Sequence, residues 1–137
     1  MRDINTSHMA GEYLVAGELA RRRYPVAITP GKAKAVDIVT YEGPEIRINA
    51  KAIRGKSNWP IKKESVRDDL WYIFVFLRTP TRFHIPPEYF IASGKEIRKN
   101  SLIRRWGTRQ GIPYKMLNTH HYKERWDKLP RPHPGTK

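Results

Sequence analysis

The 137-residue chain predicts an α/β fold: a central mixed β-sheet flanked by helices. Three observations lead there. Val36–Tyr41 and Ile46–Ile53 are runs rich in β-branched residues on either side of Glu42-Gly43-Pro44-Glu45, which reads as a β-hairpin. Leu70–Leu77 is the most apolar run of the chain; it is too short to cross a membrane and rich in β-formers, so it reads as a buried central strand. Ahead of both, Val15, Leu19 and Arg23 recur every four residues, the period of a helix with one face on a core.

In chain order, residues 1–9 have no pattern and are expected to be a tag or disordered leader; Ser7-His8-Met9 resembles a cloning scar, and His8 is given no role. One domain is expected over 10–129. Residues 10–23 are its first helix, with Glu12 in the first turn near the core-facing side, where an acid also complements the helix dipole. Glu18 is rotated away towards solvent, and Arg21-Arg22-Arg23 suit the C-terminal end. Pro25–Thr29 is a short strand stopped by Pro30-Gly31. Lys32 and Lys34 follow, in a loop that either holds a phosphate backbone or is simply an exposed turn.

After the hairpin comes a basic loop with Arg54, Lys56, Lys62 and Lys63, broken by Gly55 and Pro60. Its Trp59 either stacks on a nucleotide or caps the core. Asp68-Asp69 reads first as a helix end or loop cap and second as a metal site. Thr79-Pro80-Thr81 is read as a hairpin turn with Arg82–Ile85 as partner strand, and Glu88–Asn100 as a helix weakened at Gly94. Residues 101–118 read as an irregular basic loop that clusters Arg104, Arg105, Trp106 and Arg109. A last helix is expected from His120-His121 to about Leu129, packing on Tyr122 and Trp126, and 130–137 as a disordered proline-rich tail.

Charge narrows the partner. There are 27 Lys and Arg against 13 Asp and Glu, a formal net charge of +14, and residues 94–137 hold 12 of the basic side chains but 3 of the acidic ones. That excess favours a polyanion, nucleic acid before membrane. No apolar run is long enough for a span, and no signal peptide is evident, so an intracellular (cytoplasmic or nucleoid-associated) location is the default expectation. The absence of cysteine excludes disulfides, thiolate chemistry and cysteine-based zinc sites.

The hairpin carries the chemistry. Asp37 lies on its first strand, and Asn49 and Lys51, two apart on the second, share a face. A carboxylate and an amide oxygen can hold a hard cation, and a neighbouring lysine can orient water and offset charge on a phosphate. The plainer alternative is the polar rim of an amphipathic hairpin.

Taken in order, Gly11-Glu12-Tyr13-Leu14-Val15, Gly31-Lys32-Ala33-Lys34, Val36-Asp37-Ile38 and Ile48-Asn49-Ala50-Lys51 resemble the PD-(D/E)XK nuclease superfamily, in particular its small Holliday-junction-resolvase-like and restriction-endonuclease-like members. The resemblance covers about residues 10–90, with a weaker echo at Trp126-Asp127-Lys128-Leu129. It implies a restriction-endonuclease-like core and a metal-dependent DNA endonuclease working as a homodimer. It also implies Mg²⁺ or Mn²⁺ held by Glu12, Asp37, the Asn49 side-chain oxygen and the Ala50 carbonyl, with Lys51 positioning water. Lys32, Lys34, Arg54, Lys56, Lys62, Lys63, Arg104 and Arg105 are the expected DNA contacts. Asn49 departs from the family's Glu or Gln, being shorter and uncharged. This leaves open a catalytically inactive nucleic-acid-binding module on the same fold. A third expectation is a basic protein that binds RNA through its C-terminal half.

Overall fold

The computed structural model describes residues 2–30, 35–55 and 57–132. It is mixed α/β. A five-stranded sheet contains β1 (Val26–Ile28), β2 (Ile38–Thr40), β3 (Arg47–Ile53), β5 (Trp71–Phe76) and β6 (Glu88–Ser93), in the spatial order β1-β2-β3-β5-β6. A second sheet of three strands has the order β4-β8-β7, formed by β4 (Asn58–Pro60), β7 (Arg104–Trp106) and β8 (Arg109–Pro113). The five-stranded sheet is mixed because β3 and β5 run parallel while its other neighbours run antiparallel.

Central β5 explains why its sequence shows no polar alternation. Ile73 and Val75 enter one hydrophobic cluster with Val15 and Leu19 of α1 (Arg2–Arg21). Tyr72, Phe74 and Phe76, pointing the other way, enter a second cluster with Trp59 and Ile112 of the small sheet. A strand covered on both faces has no solvent face to mark. The helix therefore lies on one side, and the small sheet with the short helices α2 (Gly94–Lys99) and α3 (Tyr114–Leu117) is built around the cluster on the other.

Several expectations need correction. Residues 2–9, read as a leader, are the opening turns of α1. The partner of β5 is not Arg82–Ile85, which lies in a 3-10 turn and bends before Pro86-Pro87, but β6. Glu88–Asn100 is accordingly not one helix: it is strand to Ser93, then α2, entered by a capping box in which Ser93 and Glu96 satisfy each other's backbone N–H. The supposed basic loop 101–118 holds β7, β8 and α3, with Gly107 at φ +60, the left-handed value a two-residue type II′ turn takes at its first central position. After Thr119 there is a single 3-10 turn, Trp126–Lys128, in place of a last helix. Tyr122 and Trp126 are buried as expected, though in different clusters. Of the tail, Pro130 is tied down: its carbonyl accepts a hydrogen bond from the Tyr24 hydroxyl at 2.7 Å. The Arg22 guanidinium lies 4.9 Å over the Trp126 ring, so the chain's later residues hold the end of α1. Residues 133–137 lie outside the described residues.

Candidate active site

The predicted hairpin forms, with Ile38 opposite Ile48 and Val39 opposite Arg47. Among the described residues the strand pairing stops at Ile38, yet β3 runs on to Ile53 paired only with β5. Its edge from Asn49 onwards is therefore left open by β2, and Asp37 turns into the opening: the Ala50 N–H donates to Asp37 Oδ2 at 2.8 Å. In a strand the N–H and C=O of one residue point to the same edge, which puts the Ala50 carbonyl on this edge too.

Helix α1 brings the other groups. A Cβ on Gly11 would lie 2.7 Å from the Ala52 Cβ, so only glycine lets the helix approach β3 this closely. Glu12, next along, is buried at 7% exposure, and Asp37 at 1%. Donor atoms of His8, Glu12 and Asp37 all lie within 4.8 Å of one another, with His8 Nε2 at 2.6 Å from Glu12 Oε2. His8, set aside in the sequence, is thus one turn before Glu12 on the same helix face. The i, i+4 spacing to Glu12 was the available signal, hidden by treating residues 1–9 as a leader.

A cavity of about 650 Å³ opens beside these groups, lined by His8, Asp37, Asn49, Lys51 and Arg54 among others. Asn49 and Lys51 do share a face, opposite to Ala50 and Ala52, which pack in the cluster under α1. Asn49 is buried; its Nδ2 donates to the Ala35 carbonyl at 2.7 Å, while its Oδ1 has no hydrogen-bond partner among the described residues. Buried polar atoms are rarely left so. Burial pushes the Asp37 carboxyl above its usual range; the Ala50 N–H opposes this, and the charge of Glu12 adds to it. Burial also pulls the Lys51 amine below its usual range, against the attraction of Asp37. Two carboxylates, an amide oxygen and an imidazole suit a divalent cation; the imidazole tilts such a set towards transition metals.

The expected DNA contacts fare unevenly. Lys32, Lys34 and Lys56 lie outside the described residues. Arg54 lines the cavity, donating to Thr6 Oγ1 at 3.3 Å, its guanidinium 5.8 Å from the Phe83 ring. Lys62 and Lys63 are exposed beyond β4. Arg104 and Arg105 are exposed on β7, on opposite faces of the small sheet and away from the cavity. Trp59 is fully buried, its indole N–H donating to the Val75 carbonyl at 3.1 Å, so it packs the core and stacks on no nucleotide. Asp68 and Asp69 pair with arginines at the surface.

No family model matches the chain, and neither a curated protein nor a solved structure matches it. Among the described residues no helix is long and apolar enough to cross a membrane.

Proposed function

We propose that the chain is a metal-dependent DNA endonuclease with a restriction-endonuclease-like core. The observation that supports this most is the meeting of Glu12, Asp37 and His8 at a cavity that also holds Lys51 and the unpartnered Asn49 oxygen. Glu12, Asp37, His8 and Asn49 Oδ1 would hold the cation, with the Ala50 carbonyl on the same edge. A bound Mg²⁺ or Mn²⁺ supplies positive charge that polarises a phosphoryl oxygen and acidifies water. The chain's own residues do the rest. Lys51, its amine made easier to deprotonate by burial, orients the attacking water and shares the proton it releases. Arg54 at the cavity wall holds a flanking phosphate. A two-fold homodimer suits a reaction on two antiparallel strands.

The second reading, an inactive DNA-binding module, draws on Asn49. Its Nδ2 is anchored to Ala35, so only one oxygen faces the task that a longer carboxylate performs in the resembled family.

Plasmid, duplex, single-stranded and four-way-junction DNA incubated with Mg²⁺ or Mn²⁺ separate the two. The nuclease reading expects cutting that falls by at least about 100-fold in Lys51→Ala, a size typical of losing proton-transfer catalysis. Activity appearing only in Asn49→Glu favours the binding module built on an intact site. If neither the parent nor Asn49→Glu cuts, and Mn²⁺ raises the melting temperature of neither, the metal-site reading fails.

A further inference from the structure

The small sheet carries an exposed feature that the cavity does not use. Residues directly opposite in an antiparallel pair share a face. Trp106 lies opposite Arg109, and Pro60 opposite Gly111, which also faces Arg104. Trp106, Arg109, Pro60 and Asn58 therefore stand on one outer face, while Trp59 and Ile112 point inward and are fully buried. A groove of about 590 Å³ runs along the outer face, lined by Asn58, Pro60, Lys62, Trp106 and Arg109.

Three properties of this groove point to one occupant. Trp106 is 47% exposed, whereas Trp59 and Trp126 are buried, so its ring serves no core. The charged side chains lining the groove are the cations Lys62 and Arg109. The nearby acid Glu64 is engaged by Gln110, which lies with Arg105 on the other face. Finally, Pro60 lines both the groove and the catalytic cavity, so β4 is a wall common to the two.

We propose that the outer face of the β7–β8 ribbon binds an unpaired stretch of DNA that continues out of the catalytic cavity over Pro60, with a base stacked on Trp106 and phosphates on Lys62 and Arg109. The continuity rests on the endonuclease reading; the groove's own chemistry does not. Stacking on a tryptophan needs a free base face, which a duplex hides and a single strand, flap or junction arm offers. The short, twisted hairpin presents the ring without ordering a loop first.

The test is binding by the full chain in EDTA, where no cleavage occurs, followed by fluorescence anisotropy of labelled oligo(dT) of about 12 nucleotides and of a duplex of equal length. Trp106→Ala is expected to weaken oligo(dT) binding about 10-fold and duplex binding by less than about twofold, with Trp106→Phe retaining most of the affinity. Replacing both Lys62 and Arg109 by Ala should lower the slope of log affinity against log salt by roughly 1.4, two phosphates' worth for a single strand. Unchanged oligo(dT) binding by Trp106→Ala overturns the proposal. So does equal loss for both ligands, or equal loss in the Phe and Ala variants. Since no metal is present, a chain that cuts nothing can still pass this test, and an active nuclease can fail it.

Discussion

Two pairs of acids, Asp68 with Asp69 and Glu12 with Asp37, sit in opposite surroundings. Asp68 and Asp69 face solvent beside guanidinium groups: Asp68 pairs with Arg98, and Asp69 lies 2.6 Å from Arg67 and 3.4 Å from Arg47. Glu12 and Asp37 are buried, and their company includes each other, the His8 imidazole and the Ala50 N–H. The carboxyl of Asp69 is held below its usual range, chiefly by its hydrogen bond from Arg67, while burial holds that of Asp37 above it. An acid with an arginine at the surface is already neutralised; an acid pair pressed together out of water has a use for a cation.

The largest way to break this contrast is to separate the buried pair. Gly11→Val places a side chain against Ala52 and should cost about 1–3 kcal/mol in urea unfolding. It should also abolish the rise in melting temperature that the proposed metal site expects Mn²⁺ to give the parent. A Cβ on Gly17, on the same helix, meets nothing within 4 Å, and Gly17→Ala should stabilise by up to about 1 kcal/mol. Full Mn²⁺ stabilisation in Gly11→Val would disconnect α1 from the site.

A smaller effect has opposite signs in the two pairs. A carboxyl whose pKa rises on folding stabilises the fold while protonated, and that contribution is lost as pH climbs through the raised value. One whose pKa falls on folding contributes above its ordinary value of about 3.9 and is lost as pH drops through the depressed value. In EDTA, Asp37→Asn should therefore gain on the parent as pH rises above the ordinary carboxyl value of about 4. Asp69→Asn should fall slightly behind the parent as pH rises towards the ordinary value of about 4 from below. Melting temperatures across pH check both, and shifts of the same sign would erase the distinction.

Smallest of the three is a change at the hydroxyl partner of Glu88, an acid of intermediate burial that joins the two styles. It pairs with Arg78 at 3.0 Å and accepts a hydrogen bond from the Tyr114 hydroxyl. Burial, reinforced by that bond, pushes the Tyr114 pKa up to about 12. The associated stabilisation is present below the ordinary tyrosine value of about 10 and lost as pH rises towards 12. Tyr114→Phe should remove the last step of an ultraviolet titration of the folded protein; an unchanged final step would place the late phenol elsewhere.

How much of this was legible depended on where each signal lay. The hairpin and the two-sided strand β5 were readable because composition and turn residues agreed locally. Asn49 and Lys51 could be put on one face from strand geometry alone. The small sheet was missed because β4, β7 and β8 are short, and β7 and β8 are rich in arginine and glycine; its inward side is supplied by Trp59 and Ile112, 53 positions apart in the chain but directly opposite in the register. The strand β6 is masked in the sequence because it runs straight into α2: the helix start is marked by the capping box of Ser93 and Glu96, and the run Tyr89-Phe90-Ile91 ahead of it is the strand. His8 is hidden for a different reason: the residues around it carry no apolar period, and only its i, i+4 spacing to Glu12 marks it.

The clamp at the end of α1 has a consequence in time. Tyr24 and Arg22 are held by Pro130 and Trp126, among the last described residues to be made, while His8 and Glu12 at the other end of the helix are among the first. Synthesis proceeds from the N-terminus, so a nascent chain carries its acids long before it carries the residues that hold their helix to the sheet. A fragment ending before Trp126 should therefore hold α1 less firmly than the whole chain, and faster amide hydrogen exchange along the helix would show it.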